Sequence, residues 1–490
     1  MSGTAARHAA FWQAAMRYAV GDVEQEVYVH RSRTGLWRLG NLCCAVLMFL
    51  AASTGLQAKT LYVSGAGSDA ADGRSAAQAF RTLQHAADLT SPGDTVLVMN
   101  GVYTNLRGGL AGGHGDGVVL SITHSGSPGH WIDYEAYTGQ TPQIQFNGWE
   151  GVQFGPEVSY IQLKGFTITG NNAHVSLEGA WKQGKVGDPQ YSGNCVAADG
   201  RKGTATRRPN HLRILNNVIG DCGGGGVATI QADYVTVSGN IVFNSALYAI
   251  YGCSGISMLE NWNSDNTTGY KMVVAGNRVY GNRELVPWVA AGKITDGEGI
   301  IIDTSRSPTL GNYTGRVLVA NNLVYNNGSA AIEVFKSDHV DILNNSTYHD
   351  AQNPPERANG ELNLNDVSDV RVFNNIFVSA PGQAPVVVIK SRPCGCLFGW
   401  DETFGGANNP EQLKGDHLLQ ADPLYLAPDP PARSDLHDVD LRDVDLRVRP
   451  ASLALDSGYA ALAPKTDFAG TPRPQGAGVD RGAFEQAGRQ

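Results

Sequence analysis

The chain has 490 residues, a net charge of −9 and 17% charged side chains. It has no basic footprint, which argues against a general nucleic-acid binder. Sixty glycines and recurrent asparagine pairs favour many short strands and tight turns over helices.

The first predicted element is an export signal. Arg31, Arg33 and Arg38 precede the apolar run LCCAVLMFLAA (42–52), and Leu56-Gln57-Ala58 offers a small-residue cleavage site. The run is too short for a membrane span, so the expectation is a leader over 1–58, cleavage near Ala58 and a secreted mature chain, extracellular or periplasmic, with no stable span. The leader carries five basic and three acidic residues, so its loss takes the charge to about −11. Five cysteines follow it: Cys195, Cys222, Cys253, Cys394 and Cys396. An oxidising compartment would allow one or two disulfides and leave one thiol over.

The stretch 59–105 reads as an N-terminal cap. A strand TLYVS (60–64) is followed by a helix over FRTLQHAADL (80–89) and a strand VLVM (96–99). From 106 to 400 one phrase recurs: alternating apolar residues, then Asn or Gly, then Asn, then an apolar residue. It appears as RILNNVI (213–219), VTVSGNIVF (235–243), MVVAGNRVY (272–280), VLVANNLVY (317–325), VDILNNSTY (340–348) and RVFNNIFV (371–378). The second Asn recurs at intervals of 23, 37, 45, 23 and 30 residues. Alternation with period two marks each phrase as a strand with one buried face. A short-strand repeat of this size predicts a parallel β-helix solenoid, all-β, with the asparagines turning the corner and bonding to one another in a ladder. Residues 401–490 read as terminal rungs and a closing segment.

The two ends carry a resemblance. KTLYVSGAGSD (59–69) and AFRTLQHAADLTSPGDTVLVMNGVYTN (79–105) resemble the opening of secreted right-handed parallel β-helix proteins related to pectate lyases. ADPLYL (421–426), DLRVRPASLALDSG (445–458) and DFAGTPRPQGAGVDRGAFE (467–485) resemble the closing segment of many such bacterial proteins. The resemblance implies a polysaccharide as partner, bound along an outer face, and a monomer.

Registering the rungs on their Asn pairs stacks Lys336 on Asp366 and Glu333 on Asn363, with Ile332/Val334 on Leu362/Leu364. Matching strand cores puts Ile300/Ile302 on Ile332/Val334, Ile301 on Glu333 and Thr304 on Lys336. Glu333 then points outward, and Asp303 and Lys336 sit at the strand edge. Two long insertions interrupt the repeat. GISMLENWNSDNTTGYKMVV (255–274) brings Glu260, Trp262, Asp265, Tyr270 and Lys271; RELVPWVAAGKITDGEG (283–299) brings Trp288 and Lys293. Inserted loops are where function concentrates, and Trp and Tyr suit sugar rings. Trp262, Asp265, Tyr270, Lys271, Trp288, Arg306 and Glu333 are therefore substrate-binding candidates.

ITDGEGIIID (294–303) sets Asp296, Glu298 and Asp303 around an apolar run. For β-elimination on a uronate, a base must take the C5 proton and a cation must neutralise the neighbouring carboxylate. Lys336, His339, Lys271 and Tyr270 are base candidates; Asp296, Glu298 and Asp303, with Asp338, could hold Ca2+. AIEVFKSDHVDILNN (331–345) resembles the strand carrying the base lysine in β-helix alginate and chondroitin lyases, and Lys336 falls on that lysine. Those lyases carry an arginine on the next rung, where LNLN (362–365) has Asn365. C5 epimerisation would use similar groups. A glycoside hydrolase would use two of Asp296, Glu298, Asp303 and Glu333 as acid and base or nucleophile. The Gly-His-Gly phrase of β-helix polygalacturonases occurs only at 113–115, before the repeats. The third alternative is a binding solenoid without catalysis, which would show few converging titratable groups.

Overall fold

The computed structural model describes residues 57–105, 117–389, 394–406, 414–429 and 443–487. Most of the predicted leader and the Gly-His-Gly phrase lie outside them.

The chain winds as a coil, each turn laying one strand on each of three sheets. The turn through residues 332–348 shows the pattern: Ile332–Phe335, then Asp338–Leu343, then Ser346–Tyr348. The second of these belongs to sheet 1, which runs over eleven strands from Thr60–Val63 to Leu397–Gly399. The first belongs to sheet 2, nine strands from Val118–Ile122 to Val386–Ile389. The third belongs to sheet 3, eleven strands from Val102–Thr104 to Leu419–Gln420. Pairing between turns is parallel, as in Ile300↔Ile332, Val317↔Val340 and Leu323↔Ser346.

Alternation decides what each strand buries. On sheet 2, Ile300, Ile302, Ile332, Val334, Leu362 and Leu364 are fully buried inside the coil. Each such side chain contributes about 1.5–3 kcal/mol by leaving water. The register is the one the Asn alignment gives: Ile301↔Glu333, Glu333↔Asn363 and Ile302↔Val334.

The corner from sheet 1 to sheet 3 carries the asparagine pairs, and the two members divide the work. The first takes the left-handed conformation, with φ of 54° at Asn216 and Asn321, 53° at Asn344 and 63° at Asn374. The second forms a buried ladder in which each Nδ2 donates to the next Oδ1: Asn217 to Asn240 (3.0 Å), Asn240 to Asn277 (3.1 Å), Asn277 to Asn322 (3.1 Å), Asn322 to Asn345 (2.9 Å) and Asn345 to Asn375 (2.9 Å). Asn375 hands the ladder to Asp401 at 2.9 Å. A second ladder, absent from the sequence reading, runs past the other end of sheet 3: Asn282 to Asn327 at 2.9 Å and Asn327 to Asp350 at 2.7 Å.

Two expectations change in detail. The helix covers Leu83–Ala87 only, begins at the cap residue Thr82, and buries Leu83, Ala86 and Ala87 against the first rungs. The closing segment lies back along the coil: Val444, Leu446, Ala454 and Ala483 pack with Tyr280, Tyr325 and Ile376 of sheet 3. Asn344 Nδ2 donates to the Asp480 carbonyl at 3.0 Å, which ties the segment to the ladder corner. Disulfides join Cys195 to Cys222 and Cys394 to Cys396, and Cys253 is free. Among the described residues no helix is long and apolar enough to cross a membrane.

Candidate active site

The outer face of sheet 2 is the candidate groove face. Two columns of side chains stand on it: Ile301, Glu333 and Asn363, then Asp303, Phe335 and Asn365. Insertions leave the coil at one edge of this face, the corner from sheet 3 to sheet 2. Residues 175–191, 247–250 and 285–286 share a small apolar core of Ala180, Leu247, Tyr248, Ile250 and Val286. This core holds loops that leave the main coil. The opposite edge is the corner from sheet 2 to sheet 1, where Glu260, Thr304, Lys336 and Asp366 occupy equivalent left-handed positions, φ 45–54°. The whole corner shares that conformation, so it belongs to the architecture and not to Lys336 alone.

Carboxyl groups crowd this face. Glu298 is fully buried and accepts from Ser254 Oγ at 2.6 Å. Burial, then the charges of Asp296 and Glu333, push its pKa far up. Burial and the Asp296 charge lift Glu333 to about 8. Asp296 rises to about 6 through burial, despite the hydrogen bond from Thr295 Oγ1 to its Oδ2 at 2.6 Å. Asp303 also rises to about 6, through burial and the charges of Asp296 and Glu260, with Lys336 opposing. Lys336 is exposed, and its Nζ lies 4.9 Å from the Phe335 ring centroid. Desolvated carboxyls beside a lysine in a cleft are a recognised mark of chemistry.

Among the described residues no three His, Cys, Asp or Glu side chains gather as a ligand set. Asp296, Glu298 and Asp303 are described by their own acid–base chemistry.

No family model matches the chain, and no curated protein matches it. Solved structures do. The pectate lyase Pel9A aligns over 87% of this chain and 96% of its own, with a TM-score of 0.52 and 14% identity. The chain has the parallel β-helix fold. A GH136 lacto-N-biosidase from Eubacterium ramulus aligns with a TM-score of 0.41 and 16% identity, over 74% of this chain and 58% of that one. A rhamnogalacturonan lyase aligns with a TM-score of 0.40 and 15% identity, over 78% and 94%.

On this β-helix several candidate residues stand away from the groove. Lys271 is buried, with Nζ 2.6 Å from Asp233 and 3.0 Å from Asp265. It also lies over the Tyr234 ring at 4.7 Å. It is a structural cation that pins the 255–274 insertion, which corrects its reading as a base or a groove residue. Asp265 is drawn into the same knot: burial alone would raise it, but the Thr267 amide, Tyr234 hydroxyl and Lys271 bring it to about 2. Tyr270 and His339 face outward on sheet 1. The Tyr270 hydroxyl donates to Asp341, and His339 Nδ1 lies 2.6 Å from Asp369 Oδ2. Arg316 joins both carboxylates, and Arg371 adds Nε to Asp341 at 2.7 Å. Both base candidates thus belong to an ion network on the outer face of sheet 1. Arg306 stitches the corner, pairing with Asp338 at 3.5 Å and Asp366 at 2.9 Å. The half-buried Trp262 is held through its amide to the Ala232 carbonyl at 3.0 Å. Trp288 closes the second insertion on Lys293, its amide donating at 3.0 Å.

The sequence reading passed over Ser254, Gly252 and Glu284. A Cβ on Gly252 would lie 2.6 Å from Asp296 Oδ2, so the carboxylate rests directly on that backbone. Glu284 is fully buried at the root of the second insertion. The only signal in the sequence is a charged residue at the start of an otherwise apolar insertion, ELVPWV (284–289).

Proposed function

We propose that the protein is a secreted polysaccharide lyase whose uronate-containing substrate lies along the outer face of sheet 2. The observation that carries this reading is Asp303, which pairs in register with Phe335 beside Lys336 and feels the Lys336 charge. In its neutral form Lys336 Nζ takes the C5 proton. The electron pair moves into the C4–C5 bond as the C4–O bond breaks. Charge that develops on the substrate carboxylate needs donors. Glu333, protonated up to about pH 8, supplies one, and the outward amide of Asn365 supplies another where related lyases carry arginine. Asp303 or Asp296, each raised to about 6, returns a proton to the leaving oxygen. The Cys195–Cys222 bridge supports export to an oxidising compartment.

A second reading is favoured by the spread between Glu333 at about 8 and Asp303 at about 6, which suits a hydrolytic acid and base. Incubation with uronate polymers separates the two. Elimination creates a C4=C5 double bond with new ultraviolet absorbance; hydrolysis gives reducing ends without it. C5 epimerisation shares the first step and gives neither signal, only exchange of the C5 hydrogen.

A further inference from the structure

We infer that Glu284 is a positioning residue that holds Asp296 in the groove, which makes the root of the second insertion part of the active-site machinery. The inference rests on the reading of Asp296 as an acid–base group. Glu284 is fully buried. Its Oε2 accepts two backbone amides, Thr295 N at 2.7 Å and Asp296 N at 2.9 Å. Thr295, so placed, turns its hydroxyl onto Asp296 Oδ2 at 2.6 Å. One carboxyl therefore fixes the backbone of Asp296 directly and its side chain through Thr295.

Glu284 is itself held on both sides. The Arg283 amide donates to the Ser245 carbonyl at 3.0 Å, and the Leu285 amide to the Leu247 carbonyl at 3.3 Å. Asn353 Nδ2 donates to the Glu284 carbonyl at 2.8 Å. Gly297 closes the clamp from the other strand: its φ is 97°, and a Cβ there would stand 2.6 Å from the Glu284 amide nitrogen. Only glycine permits that approach in that conformation. The second oxygen, Oε1, is buried with no hydrogen-bond partner. A buried polar atom left unmatched costs stability, so the carboxyl is held there by what its other oxygen does. Eleven residues and a loop separate Glu284 from Thr295, so no periodicity in the sequence foretells this contact.

The test pairs hydrogen exchange with kinetics on the full protein. Glu284→Ala is expected to speed amide exchange in a 293–299 peptide by about tenfold or more, since two buried amides lose their acceptor. Glu284→Gln keeps an acceptor oxygen and is expected to restore slow exchange. On a uronate polymer that the wild type cleaves, Glu284→Ala is expected to lower kcat about tenfold or more with KM within about twofold, and Glu284→Gln to recover most of it. Thr295→Val, which removes only the hydroxyl contact, should lower kcat without altering exchange, and it serves if Glu284→Ala fails to fold. Unchanged exchange in Glu284→Ala would overturn the clamp. Faster exchange with unchanged kcat would overturn the positioning role. If the wild type cleaves no uronate polymer, the proposed reaction fails while the exchange result still decides the clamp.

Discussion

Two lysines that look alike in sequence have opposite fates in the fold. Lys336 stands exposed at the groove edge, while Lys271 is sealed against Asp233. Their substitutions should therefore differ in kind. Lys336→Ala is expected to lower kcat by roughly 10²–10⁴-fold, the usual contribution of a general base, with the melting temperature nearly unchanged. Lys271→Ala leaves Asp233 buried without its cation and is expected to cost about 3–5 kcal/mol in chemical denaturation. Glu333 gives a pH test. Its carboxyl stays protonated below about 8, so its donated hydrogen bond is present there and is lost as the pH rises past that value. Activity is expected to fall on that limb, and Glu333→Gln, which cannot ionise, should flatten it. Alternation alone made Glu333 legible as an outward group, whereas Asp303, expected at the strand edge, is the last residue of the strand. Alternation could not tell Lys271 from a groove residue, because a long insertion obeys no period and its burial depends on Tyr234, Tyr313 and Asp233 brought from other turns.

At the scale of elements, the corner ladder carries the register. Each asparagine accepts from one neighbour and donates to the next, so a single loss strands groups on both sides. Asn322→Ala leaves the Asn277 backbone amide and side-chain amide without their acceptor, Asn322 Oδ1. It is expected to cost about 2–5 kcal/mol by urea unfolding, from two or more buried groups at about 1–3 kcal/mol each. This ladder was readable because the same phrase recurs in regular form. The second ladder was readable in principle and was missed: Asn282, Asn327 and Asp350 each lie five residues beyond a ladder asparagine, at Asn277, Asn322 and Asn345. Its members sit in phrases that otherwise look like ordinary turns. The helix expected over 80–89 shrank to Leu83–Ala87 because Phe80 pairs with Val63 as an extended bridge.

At the scale of the whole molecule, burial outweighs pairing at carboxyls that end the asparagine ladders. Burial lifts Asp350 to about 7 and Asp401 to about 8, against the asparagine amides that donate to them. In the folded state these groups keep protons that the unfolded chain has already released near pH 4. Between about pH 4 and 8 the unfolded state therefore binds fewer protons, and these groups lose stability as the pH rises. A melting temperature that climbs as pH falls from 8 toward 5 is the expected outcome, and a flat profile would mean that the carboxyls are not buried as described. The fold was legible from end to end because a solenoid repeats its instructions at every turn. The reaction was less so, because it depends on which face each insertion covers, and fold alone does not assign chemistry.

The most direct measurement is a time course on polygalacturonate, alginate and glycosaminoglycans with wild type and Lys336→Ala in parallel. It follows ultraviolet absorbance and reducing ends together, with and without EDTA. The account predicts that absorbance and reducing ends rise together for the wild type on at least one uronate polymer. It also predicts no loss with EDTA, and both signals slowed by roughly 10²–10⁴-fold with Lys336→Ala. Reducing ends without absorbance, or full turnover by Lys336→Ala, would contradict it.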